Sequence, residues 1–252
     1  MTYIGNKDFN YRVALGEVTN ATTWNKFGYN SDVDTASTEI IAEFGGTFSI
    51  MTSADTLDVV SSSAQDGVAG TGALSIQLTG IDANHLEQTE IVTMNGITPV
   101  TTSNSWLGIN RAVVISSGTN DANVGTITID DTAGTVGVQA EIPIDESVTQ
   151  QLIFHTQIDY KFLVDWLWLH VTKLSGGSAP KVTIVGHSYS RVTDTVYEVF
   201  RTTIDSSVEN TEQFNFSQPF VIGGREVLYF TADTDTNNTE VVGRFSGIEI
   251  ES

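Results

Sequence analysis

The chain has 252 residues, with 11 Lys+Arg against 31 Asp+Glu for a net charge of −20, and no Cys. That balance is repelled by phosphate backbones and anionic lipid surfaces, so neither nucleic acid nor membrane is expected as a partner. Without Cys there are no disulfides and no thiolate metal sites. A hydrophobic share of 40% with abundant Gly, Thr, Ser and Val predicts an all-β chain, since β-branched residues suit a pleated, half-buried surface.

The first residues, MTYIGNKDFNYR, hold no apolar core segment of a signal peptide. Residues 1–45 read as an N-terminal segment or arm. Their aromatics (Tyr3, Phe9, Tyr11, Trp24, Phe27, Tyr29) follow no period, and Asn6-Lys7-Asp8, Thr19-Asn20 and Asn30-Ser31-Asp32 carry turn chemistry. Residues 46–145 read as a β-sandwich or jelly-roll region. Strands are predicted from Glu43 to Met51 and from Leu57 to Ser62, with a small-residue loop, SSSAQDGVAGT, following. Leu74 to Thr79 alternates apolar and polar residues, the mark of an antiparallel sheet wet on one side. Asn95-Gly96, between Glu90–Met94 and Ile97–Thr101, predicts a type I′ hairpin. Trp106 to Ser116 and Val124 to Ile129 complete the region.

Residues 146–252 read as a second β region, tandem to the first or continuous with it. Strands are predicted at Gln151–Ile158, Phe162–Val171, Val182–Val185, Thr195–Phe200, Gln213–Phe216, Glu226–Phe230 and Val241–Phe245, with Ile248 and Ile250 beyond. In Phe162–Val171 strict alternation puts Phe162, Val164, Trp166 and Trp168 on one face and Leu163, Leu167, Leu169 and Val171 on the other. A strand apolar on both sides belongs in a sheet centre or beneath a second subunit. FLVDWLWLHV is too short to span a bilayer, Gly176-Gly177 opens a loop, and no helix longer than a turn is expected.

Candidate chemistry is sparse. Gly186-His187-Ser188-Tyr189-Ser190 resembles a nucleophile elbow, but lacks the final glycine and runs on into strand-forming residues rather than a helix. His85, His155, His170 and His187 have no metal-ligand spacing. Asp233, Asp235 and Asn237 place oxygen side chains alternately, as the start of a calcium loop does, without its central Gly or its length; Asp130-Asp131 is a weaker version. Trp106, Phe162, Trp166 and Trp168 are the interface candidates. No catalytic residue and no cofactor is expected.

The run VVSSSAQDGVAGTGALSIQLTGIDANHLEQTEIVTMNG, followed by WLGINRAVV and NVGTITI, resembles virion structural proteins of tailed bacteriophages, notably marine ones. WLWLHVTKLSGGSAPKV, YEVFRTTID and NNTEVVGRFSGIEI extend the resemblance from near Asp55 to the end of the chain. It departs at Gln157-Ile158-Asp159-Tyr160, where a Pro-Ala-Gly turn is expected. The resemblance implies a non-enzymatic, homo-oligomeric (trimeric) capsid decoration or cement protein of β-sandwich or jelly-roll build, or alternatively a receptor- or glycan-binding fibre or tail protein. It implies the major capsid protein or other virion proteins as partners. The chain would be made in the host cytoplasm and placed on the capsid exterior.

Overall fold

A computed structural model of the chain describes residues 9–174 and 177–252; Tyr3, the expected turn at Asn6-Lys7-Asp8, and Gly176 lie outside them. Among the described residues a short helix, α1 (Phe9–Ala14), precedes sixteen strands. In chain order these are β1 (Ala21–Val33), β2 (Glu39–Ile40), β3 (Leu57–Ser61), β4 (Ala73–Ile81), β5 (Glu87–Thr93), β6 (Val100–Thr101), β7 (Gly108–Ser117) and β8 (Ile127–Asp131). Then come β9 (Val138–Ile142), β10 (Ile153–His155), β11 (Tyr160–Lys173), β12 (Lys181–Ser190), β13 (Thr195–Asp205), β14 (Thr211–Ile222), β15 (Glu226–Thr234) and β16 (Thr239–Glu251). The chain is all-β, and every strand pairing is antiparallel.

The long strands make two sheets. Sheet A runs β1-β16-β11-β14, and sheet B runs β10-β15-β12-β13 with β2 also on β15. Their facing sides share one core rich in rings: Phe154 and Phe162 lie 4.3 Å apart, Phe162 and Phe245 5.9 Å, and Phe230 and Phe245 5.7 Å. Segment 42–50, expected to hold a strand, instead crosses the outer side of sheet B, where Phe44, Phe48 and Ile50 cover Ile153, Tyr189 and Val227.

Residues 21–40, expected within an arm, complete these sheets by pairing with β16 and β15 near the other end of the chain. A second difference lies in β11. A bulge between Val164 and Trp166 changes the parity of the strand, so Phe162, Val164, Leu167, Leu169 and Val171 all face the core. Trp166 and Trp168 are thereby turned to the outer side of sheet A, the opposite of what strict alternation predicts. Pro219 falls in β14, an edge strand, where its missing N–H breaks no ladder.

The middle unit, β3 to β9, forms sheets β6-β3-β8-β9 and β5-β4-β7 around a separate, mainly aliphatic core that includes Trp106. The alternation read in Leu74–Thr79 holds at Ile76 and Leu78, which are buried. Asn95-Gly96 does not close a hairpin: β5 pairs with β4 and β6 with β3, in different sheets. Only Gly96 of the two has positive φ (61°), and the Thr98 amide donates to the Asn95 carbonyl, so the pair turns a corner between sheets. α1, six residues long, is the single helix among the described residues and exceeds the expected limit of one turn.

Candidate functional site

The two-sheet body and the middle unit meet over a buried polar web. The Asn110 side chain, on β7, bridges the β10 backbone: its Nδ2 donates to the His155 carbonyl at 3.0 Å and its Oδ1 accepts from the His155 amide at 2.7 Å. Gln151 donates to the Ile109 carbonyl at 2.9 Å. From the end of β12, Arg191 donates to the carbonyls of Met51 and Leu107, the latter at 2.8 Å, and its Nη2 lies 3.3 Å from His155 Nδ1. Burial, then the charges of Arg191 and Lys26, hold the His155 imidazole well below its usual pKa. Its Nδ1 faces a donor, so the neutral ring carries its proton on Nε2. Gly108 lies against that ring so closely that a Cβ there would fall inside it.

Lys26 is the unusual member. It faces inward from β1, buried, and its ammonium donates to the Asn110 carbonyl. Burial first, and the Arg111 charge second, pull its pKa down to about 7. Beside it opens a cleft of about 490 Å³, with Thr23, Trp24 and Lys26 on one wall and Asn110, Arg111 and Thr149 on the other. No carboxylate lines it, in a chain of net charge −20. A cleft of about 290 Å³ elsewhere is its opposite: it holds Tyr29, Glu43 and Glu146, and burial followed by Glu141 and Glu146 pushes Glu43 up to about 7.

The residues named from sequence are scattered. Trp106 and Phe162 are completely buried in the two different cores, which leaves neither a surface to offer a neighbouring subunit; as interface residues they are corrected. Trp166 and Trp168 are half-buried on the outer side of sheet A, where Trp168 stacks on His170 at 5.9 Å. Phe27, Arg244, Trp168 and Gln213 stand in one row across that side.

Asp233, Asp235 and Asn237 are not brought together as a calcium loop would require. Asp235 accepts from the Lys181 amide at 2.9 Å, while Asn237 accepts from the Thr35 amide and hydroxyl at 2.9 and 2.7 Å. Among the described residues no group of three His, Asp or Glu side chains could hold a metal. Ser188 sits inside the straight strand β12 and donates to Glu226 at 2.8 Å, with no turn to present it as a nucleophile. No local pattern in the sequence marks Lys26 and Arg111, because the two walls of their cleft lie some 84 positions apart. The available signal was the scarcity of cations, with one of them between Trp24 and Phe27.

No family model matches the chain, and no curated protein matches it. Among solved structures it is similar to the VP2 subviral particle of infectious bursal disease virus, with 10% identity and a TM-score of 0.24 over 91% of this chain and 72% of that one. It is also similar to the structure of the Gt strain of the same virus, with 10% identity and a TM-score of 0.14 over 92% and 81%. Similarities of this size do not establish a shared fold.

Proposed function

We propose that this chain is a non-enzymatic structural protein of a virion, first as a decoration or cement protein on the outside of a tailed-phage capsid. The observation that carries the reading is the strand order. With β2 and β10 taken as one interrupted strand, the two-sheet body has eight strands in the orders 1-8-3-6 and 2-7-4-5. That order supports a jelly-roll sandwich, an architecture that recurs in viral capsid and lectin domains. The middle unit is then an insertion in the second strand. The resemblance read from sequence points the same way.

On this reading copies associate, as trimers first, through the outer side of sheet A. Its half-buried Trp166 and Trp168, with Phe27 and Arg244, have the aromatic and Arg character of interface centres. Acidic surface elsewhere meets solvent. The test is sedimentation of the purified chain together with a reconstruction of the particle that carries it. The expected result is an oligomer, with density for the chain on the outer shell and the Trp166–Trp168 side in a contact. A strict monomer that does not bind purified particles would overturn it.

A further inference from the structure

The cleft between β1 and β7 has features that the virion reading leaves unused. β1 is the last strand of sheet A, and among the described residues no other strand pairs with its free edge. In an antiparallel pair the N–H and C=O groups of alternate residues point away from the partner strand. Over residues 22–27 those outward groups have no partner among the described residues and open onto the cleft. At Gly28 the inward face of the strand is packed against Ile41 and Leu152, which ends the cleft on that side. Exposed edges are ordinarily blunted by a proline, a bulge or an inward-pointing charge, since they invite pairing. Residues 22–27 hold no proline, and the irregularity in the pairing comes only after Asn30. Lys26 does point inward, but at the far wall of the cleft, where it forms part of a basic lining.

Charge decides what would pair there. Lys26 has three donors and a single acceptor in the Asn110 carbonyl. The Arg111 side chain is exposed and makes no hydrogen bond or ion pair with the other described residues. The lining has no acid of its own. We propose that this cleft takes an extended, carboxylate-bearing segment of a partner protein, which adds as a strand to the β1 edge at residues 22–27 while Lys26 and Arg111 hold its acidic side chains. Main-chain pairing supplies the affinity and the two cations the selectivity, the division of labour usual in strand addition. Such pairing depends on the chain alone, inside a particle or free of one.

The experiment uses the full chain and fluorescein-labelled octapeptides followed by anisotropy. One peptide alternates Glu with Val, a second alternates Lys with Val, and a third is the Glu peptide with one central Val replaced by Pro. The expected result is saturable binding of the Glu peptide alone. Affinity should fall at least tenfold in Arg111→Ser, a surface change that leaves the fold intact as judged by circular dichroism, and in Lys26→Met. Sodium glutamate at tenfold excess over the peptide should not compete. The proposal is overturned by equal binding of the Lys or Pro peptide, by no binding of any peptide, or by full competition from free glutamate, which would mark a small-anion site. It is equally overturned if the Glu peptide binds only after residues 1–8 are deleted, since the chain itself would then be the occupant.

Discussion

The two-sheet body and the middle unit solve the same problem in different ways. The body has strands of up to 14 residues, so most of its backbone groups are satisfied in ladders, and its core sets a chain of tilted Phe rings among many aliphatic side chains. The middle unit has strands of two to ten residues and an aliphatic core. Much of its backbone lies in loops, and buried loop groups must find partners elsewhere. Side chains provide them. Asp66, fully buried, accepts from the Ser61 hydroxyl (2.6 Å) and from the amides of Ala73 (2.7 Å), Val124 (2.9 Å) and Gly125 (2.8 Å). Asn123 donates to the carbonyls of Gly125 and Pro143 and accepts from the Ser147 amide. Asp131 gathers the amides of Thr135, Val136 and Gly137. The body is held mainly by ladders and by many aromatic and aliphatic contacts, with Glu39 and Glu249 as its buried polar anchors, whereas the middle unit leans more heavily on polar residues that gather loop amides.

The sharpest way to break this contrast is Asp66→Ala. It strands three buried donors and the part-buried Val124 amide, the buried ones costing about 1–3 kcal/mol each, so a loss of about 4 kcal/mol or more is expected. Phe162→Ala should cost the body about 3–5 kcal/mol. Trp106 belongs to the middle unit, while Trp24, Trp166 and Trp168 belong to the body. Urea unfolding of a variant that keeps Trp106 and has the other three changed to Phe therefore reports on the middle unit. Asp66→Ala should lower its Trp106 midpoint strongly and Phe162→Ala weakly. Equal shifts would show that the two regions unfold as one, and the contrast would lose its energetic meaning.

Ionisation at the edges of the two regions gives the next effect. The Lys26 pKa is lowered in the folded chain, from 10.5 to about 7. Between those values the unfolded chain binds more protons, so stability rises with pH from about 7 towards 10.5, and the penalty is fully present below 7. Displacing a pKa by one pH unit changes stability by about 1.36 kcal/mol, so this limb is on the order of a few kcal/mol. Glu43 acts oppositely, since its folded pKa is raised from 4.5 to about 7 and stability falls as pH climbs through that window. Together they predict a stability minimum near neutrality. Thermal melts of Lys26→Met and Glu43→Gln from pH 5 to 10 should flatten the alkaline and the acid limb respectively; an unchanged profile in both would exclude these groups as its cause.

The seam between the regions is tested by Gly108→Ala. The added methyl meets the His155 ring, and relieving it must move β7 or β10, at a cost of about 1–3 kcal/mol for overpacking. If the regions are coupled through this web, the Trp106 and body transitions should both shift. If only one shifts, the web is a lining and not a coupling.

What could be read from sequence follows the same division. The all-β class and the strands β3, β4, β12 and β15 were legible, because each alternates or runs apolar between clear turns. β1 was not, since its inward row of Trp24, Lys26, Gly28 and Asn30 is mostly polar or small and produces no apolar period. Its partner β16 lies over 200 residues away, a pairing no local pattern encodes. In β11 the apolar count was right and the faces wrong, because one extra residue at Asp165 reverses the parity of everything after it. Asn95-Gly96 had the chemistry of a hairpin, but its flanking strands pair elsewhere. The basic cleft was illegible for a related reason: it exists only where β1 and β7 meet.

The smallest expected effect sharpens the contrast most finely, because it compares one residue type in both regions. Asp131 and Asp235 each sit at a turn and accept from backbone amides. Asp131 is buried and holds three successive amides of a loop that no ladder supports, so Asp131→Ala should cost about 1–3 kcal/mol. Asp235 is exposed, and its acidity is strengthened by the Lys181 amide and the Thr236 hydroxyl. The β15–β16 connection it sits in joins two strands that are each already held by long ladders in separate sheets, so Asp235→Ala should stay within about 0.5 kcal/mol. Millimolar calcium or a chelator should leave the melting temperature unchanged, given that Asp235 and Asn237 serve different partners. A calcium-dependent rise abolished by Asp235→Ala would instead mean that this turn rearranges around an ion, and that this end of the body also relies on a polar staple.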